Sequence, residues 1–177
     1  MAISAIRPPP TGALALPRRI AGVLVLAAIG VMLLGVFLRY VMVPITDALD
    51  MDPINFYWIE ELGELLLAWL TLIGAAVGIA ERAHFTLAVV VHHMSPGVQQ
   101  AVHTLNYLLI ALFGGLIAWF GLGLVRLNIT LVTPALEINL GWLYGCTVAG
   151  GILIVLYALA SLRDPIAADH APADVRE

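Results

Sequence analysis

At 177 residues, 62% hydrophobic and 11% charged, with a mean hydropathy of +1.00, the chain lies far outside the composition of a soluble globular domain. Its eight cationic residues are all arginines, scattered in a chain of net charge −4, so no basic face exists to track a nucleic-acid backbone. The one cysteine, Cys146, lies in an apolar segment, which excludes an internal disulfide, a Cys-x-x-Cys redox pair and a thiolate metal site.

Residues 1–19 are rich in Ala and Pro and lack apolar periodicity, and are expected to form a flexible N-terminal tail. The "PRRI" that ends it resembles the start of a secretory signal. The apolar run that follows, 20–43, is longer than a signal core and closes on "LRYVMVPI" with no small-residue cleavage site, so an uncleaved signal anchor is expected. Three more runs, 56–80, 98–124 and 140–162, are long enough to cross about 30 Å of hydrocarbon as helices. The expected fold is therefore an all-α integral membrane protein with a four-helix transmembrane domain over 20–162. Between the second and third spans, "ERAHFTLAVVVHHMSPG" is too apolar for a solvated linker and too short to span. An interfacial helix over 84–94 is expected, carrying Phe85 and Val89 with Arg82 and His84 at its start; the alternative is an extended end of span two. Ser95 followed by Pro96 reads as the N-cap and first residue of span three. Residues 163–177 read as a second flexible tail.

Arginine placement orients the spans. Arg7, Arg18, Arg19, Arg82, Arg163 and Arg176 all fall on one side, which the positive-inside rule makes cytoplasmic, so both termini are expected there. The opposite loops are "PITDALDMDPIN", without a cation, and "VRLNITLVTPALEIN", with Arg126 alone. Tyr40, Tyr57, Trp58, Trp142 and Tyr144 fall near the outer ends of their spans, where amphipathic rings favour the headgroup region.

The second span opens "WIEELGELLLAWL", placing Glu60, Glu61 and Glu64 within about a 100° arc of one helix. A charge near the bilayer centre costs roughly 3 kcal/mol on insertion scales, so such residues are paired, at the interface, or functional. Arg39, at similar depth on the preceding antiparallel span, favours a buried interhelical ion pair with this face; exposure to headgroup water and ion handling are the alternatives. Small residues form a second pattern. Gly74 and Gly78 in span two, and Gly141, Gly145 and Ala149 in span four, make stripes suited to close packing within the unit or against a partner helix. Of the histidines only His103 belongs to a span, so neither a haem nor a metal site is expected, and no nucleophile and base, phosphate loop or paired catalytic acids can be assembled. No enzyme activity and no cofactor are expected.

From span one to the end of span four the sequence resembles the small membrane subunit of the tripartite ATP-independent periplasmic (TRAP) transporters. The resemblance rests on "LRYVM" at 38–42, on "WIEEL" with its continuation "AWLTLIGAAVGIAERAHFTL", and on "TPALEINLGWLYGCTVAGGIL". The residues that match the family's pattern are Arg39, Trp58, Glu60, Glu61, Gly74, Ala75, Arg82 and His84. The chain departs from it at Gly63 and Glu64, where members often carry a basic residue. The resemblance implies a bacterial inner-membrane scaffold subunit, partnered in the bilayer by a large multi-spanning permease subunit and served by a periplasmic solute-binding protein. Together these would perform ion-driven, usually sodium-coupled, uptake of a carboxylate-bearing solute. The residues alone leave two other readings: an autonomous homo-oligomeric four-helix exporter using a membrane carboxylate, or an assembly factor of another membrane complex.

Overall fold

The structure, a computed structural model, describes residues 11–49, 56–81 and 95–162. Among these, all regular elements are helical apart from an isolated antiparallel bridge between Val132 and Asn139. The helices are α1 (Thr11–Phe37), a π turn (Leu38–Met42), α2 (Val43–Ala48), α3 (Tyr57–Ala80), α4 (Pro96–Asn128) and α5 (Leu140–Leu162). Four stretches are long and apolar enough to cross a membrane: Ala15–Ala48, Tyr57–Ala80, Gly97–Asn128 and Leu140–Leu162. Residues 1–10 of the expected N-terminal tail 1–19, the expected tail 163–177, and the interfacial segment with Arg82, His84, Phe85 and Val89 lie outside the described residues.

The limits of α3 and α5 follow their apolar runs, and α4 starts at Pro96 with Ser95 extended ahead of it. The Ser95 side chain makes no capping bond; its carbonyl instead accepts from the Val98 and Gln99 amides. The first span departs most from expectation. In place of a helix over 20–43, helical backbone runs without a break from Thr11 to Ala48, through Pro17 and the π turn. Apolar patterning locates what hydrocarbon must cover, whereas the helix end is set by backbone hydrogen bonding, and the Ala- and Leu-rich "TGALALP" sustains it further. At the other end Pro44 has no N–H to give back to the preceding turn. The chain passes through wider π geometry just before it, with the Val43 N–H donating to the Leu38 carbonyl five residues back.

The spans form a row rather than a closed bundle. α1 packs on α3, α3 on α5, and α5 on α4, the last pair most extensively. α3 runs antiparallel to α1 and parallel to α5. The α4–α5 contact depends on glycine: a methyl built on Gly151 would lie 2.7 Å from both the Ala118 nitrogen and the Gly114 carbonyl oxygen, so the two backbones touch. Gly121 is closed the same way by Thr147, and Gly150 by Leu72 of α3. Towards the C-terminal end of α3, Ala76 and Ile79 meet Tyr107, Ile154 and Ala158 in the buried core. Elsewhere large apolar side chains point outward along every span, as a lipid-facing surface requires.

The stripes expected from spacing lie largely off these contacts within the unit. Gly74 and Gly78 have nothing within 4 Å of a built methyl, Gly141 meets only the nearby Asn139 and the Ile129 backbone of its own loop, and Gly145 makes an ordinary 3.8 Å contact with Trp69. Ala149 is half-buried. Four-residue spacing puts small residues on one face, but the chain's topology decides which face receives a neighbour. Here the close approaches fall at Gly114, Gly121, Gly150 and Gly151, and between α1 and α3 at Gly35 against Ile59 and Gly63 against Met32.

Candidate functional site

α3 carries Glu60, Glu61 and Glu64 near its start, and the structure gives the first two different partners. Arg39 leaves the π turn and donates from Nη2 to Oε1 of Glu60 at 2.6 Å. This pair is not buried: the side chains are 70% and 60% exposed. Of the face expected to pair with Arg39, Glu60 alone does so, and Glu61 does not join it. Its two carboxylate oxygens accept from the backbone amides of Ala135 (2.9 Å) and Leu136 (2.8 Å), in the loop between α4 and α5.

That loop is shaped to receive a carboxylate. The Thr133 amide donates to the Ile138 carbonyl, the Glu137 amide to the Thr133 carbonyl, and the Ile138 amide to the Thr133 hydroxyl. Glu137, at φ 53°, turns the chain through the left-handed region. These bonds occupy the surrounding amides and leave two adjacent N–H groups, at 135 and 136, for Glu61. Charge-assisted bonds of this kind are stronger than neutral ones. A second tie joins α3 to α5, where the Trp69 indole N–H donates to the Trp142 carbonyl at 3.1 Å.

At the opposite end of α3, Glu81 accepts from both Nε (2.9 Å) and Nη2 (2.6 Å) of Arg18. This second Arg–Glu pair was not anticipated, yet it has a sequence signal. Arg18 and Arg39 are 21 residues apart, as are Glu60 and Glu81, so two antiparallel helices in contact bring both pairs into register. At 1.5 Å per residue the spacing is about 31 Å, the thickness of a hydrocarbon core. α1 and α3 are thus clamped once at each edge of the bilayer-spanning stretch. Tyr40, Tyr57 and Trp142 are exposed at the Arg39–Glu60 end, where an interfacial aromatic belt belongs.

Glu64 is different. One turn from Glu60, about 6 Å further into the span, it is exposed and has no ion-pair or hydrogen-bond partner among the described residues. It stands between two concavities. One is an open groove of about 570 Å³ on the α1–α3 side, lined by Met32, Glu60, Leu67, Ala68, Thr71 and Leu72; the other is a cleft of about 230 Å³ beneath the Glu61-bound loop. The cleft is below the roughly 300–1,000 Å³ of small-molecule sites. Among the described residues no group of three or more His, Cys, Asp or Glu could hold a metal ion. His103 lies against Tyr107, with ring centroids 4.7 Å apart, at the far end from Glu64.

The arrangement is one of ties between helices, in a protein with four spans able to cross a membrane. The chain has no match among curated proteins. The family model described as "Tripartite ATP-independent periplasmic transporters, DctQ component" matches residues 28–168, from the middle of α1 to beyond α5. That stretch holds the Arg39–Glu60 pair, the Glu61-bound loop and the close glycine approaches named above, while Arg18 lies before it. The chain therefore belongs to the DctQ family, the small permease component of TRAP transporters, a transporter component and not an enzyme family.

Proposed function

We propose that this chain is a scaffold subunit. It braces a large permease subunit in the bacterial inner membrane while that subunit performs ion-driven uptake of a carboxylate-bearing solute delivered by a periplasmic binding protein. Family membership supplies the system. The observation that carries the scaffold role is the fixing of α3: an Arg–Glu pair to α1 at each end, and Glu61 and Trp69 bonds to the α4–α5 unit. A row tied in this way resists shear between its helices, which suits a subunit that stays still while its partner moves. The Arg39–Glu60 end faces the periplasm in this reading, because the arginine-rich ends stay in the cytoplasm. The Glu61-bound loop then lies on the side from which the binding protein arrives.

Deletion of this chain from cells that retain the large subunit and the binding protein is expected to abolish uptake. The purified chain in liposomes is expected to move no solute. Uptake that survives the deletion, or transport by the chain alone, contradicts the scaffold role, and the second result would favour an autonomous exporter.

A further inference from the structure

Glu64 lies inside the span that the two Arg–Glu pairs delimit, and among the described residues no arginine pairs with it. Of the described arginines, Arg39 is engaged by Glu60, and Arg126 sits in the last turn of α4, whose main neighbour is α5. Arg18 and Arg19 lie at the far end of α1, where Arg18 is held by Glu81. Arg7, Arg82, Arg163 and Arg176 lie outside the described residues. The segment 50–55 that links α2 to α3 is "DMDPIN", with two further acids and no base. A carboxylate exposed at this depth is costly unless paired, and ionisable groups inside spans ordinarily face a partner or a water-filled path.

The groove beside Glu64 has the form of a helix seat. Glu64, Leu67, Ala68 and Thr71 lie at i, i+3, i+4 and i+7 on α3, the spacing at which a helix presents one face to another. Past the carboxylate the lining is apolar apart from Thr71, whose hydroxyl is turned back to the Leu67 carbonyl at 2.7 Å. Further along the same face, Gly78 has nothing within 4 Å of a built methyl.

We propose that the α1–α3 groove seats a transmembrane helix of the large permease subunit, and that a lysine or arginine on that helix pairs with Glu64. The proposal rests on the scaffold reading and adds the face and the charge by which the two subunits meet. A helix is favoured over a lipid headgroup because the open face continues from Glu64 through Thr71 to Gly78, about 21 Å along the span. A headgroup amine would stay at its outer edge.

The test uses the full chain co-expressed with the large subunit of its own system. A photo-reactive benzophenone side chain at position 71, with Glu64 intact, is expected to give a covalent adduct with the large subunit on irradiation of native membranes. The same group at position 109, on the exposed face of α4, is expected to give none. In affinity purification Glu64→Arg is expected to lower the retained large subunit by at least about tenfold, a 1.4 kcal/mol loss, with Glu64→Gln between it and wild type. Adducts at position 71 with lipid or a second copy alone, or adducts with the large subunit from 109 alone, overturn the proposal. So does equal retention by wild type, Glu64→Gln and Glu64→Arg, which leaves the scaffold reading standing. Failure of the wild-type chain to retain the large subunit overturns both.

Discussion

At the scale of single residues, the three carboxylates of "WIEELGE" do three things. Glu60 meets Arg39, Glu61 holds a loop 74 residues further on, and Glu64 has no partner among the described residues, the position at which we propose a partner subunit's cation. Their side-chain settings set the expected effects of substitution. Because Arg39 and Glu60 are mostly exposed at the edge of the span, a double-mutant cycle over Arg39→Ala and Glu60→Ala is expected to give a coupling energy below about 1 kcal/mol in micelles, read by thermal unfolding. A coupling of several kcal/mol would mean that the pair is desolvated. Glu61→Ala removes both acceptors from the Ala135 and Leu136 amides, and hydrogen exchange at those two amides is expected to accelerate severalfold, with Glu61→Gln intermediate because it keeps one acceptor oxygen. Unchanged exchange would mean that the loop holds its shape without α3. The partner of Glu61 was not legible in the sequence, since it is backbone; amides carry no residue code, and the left-handed turn at Glu137 that frees them has no glycine to announce it. Arg18–Glu81 was legible in principle, because its 21-residue register repeats that of Arg39–Glu60.

At the scale of elements, the four spans read from hydropathy are present among the described residues, because a bilayer enforces length and backbone satisfaction together. What hydropathy omits is where a helix stops once it leaves the hydrocarbon, and so α1 begins nine residues earlier than the apolar run. The π turn before Pro44 was equally hidden, although the proline that accompanies it was in view. Packing was the least legible part: Gly74 and Gly78 have the small-residue spacing but no neighbour, whereas Gly114, Gly121 and Gly151 hold α4 and α5 together. Gly151→Leu is therefore expected to destabilise the fold by about 1–3 kcal/mol, since the obstructing atoms are backbone and cannot rotate away. Gly22→Ala, with open space around it, is expected to change stability by no more than about 1 kcal/mol, with either sign, through backbone entropy. Thermal unfolding of the two variants in the same micelle compares them, and equal midpoints would contradict the close α4–α5 packing.

At the scale of the whole molecule, a row of four spans has two broad faces, and a row does not enclose a path. The described residues supply clamps along α3, a carboxylate-bound loop at one end, and apolar surface elsewhere, which together suit a brace rather than a carrier. Family membership makes the chain a TRAP transporter component, and a row of helices that encloses no path fits the proposed role of a brace. The most direct measurement is affinity purification of the tagged chain from gently solubilised native membranes, with mass identification of what stays bound. The account predicts a much larger multi-spanning protein at fixed stoichiometry; recovery of this chain by itself, as a small homo-oligomer, would contradict it.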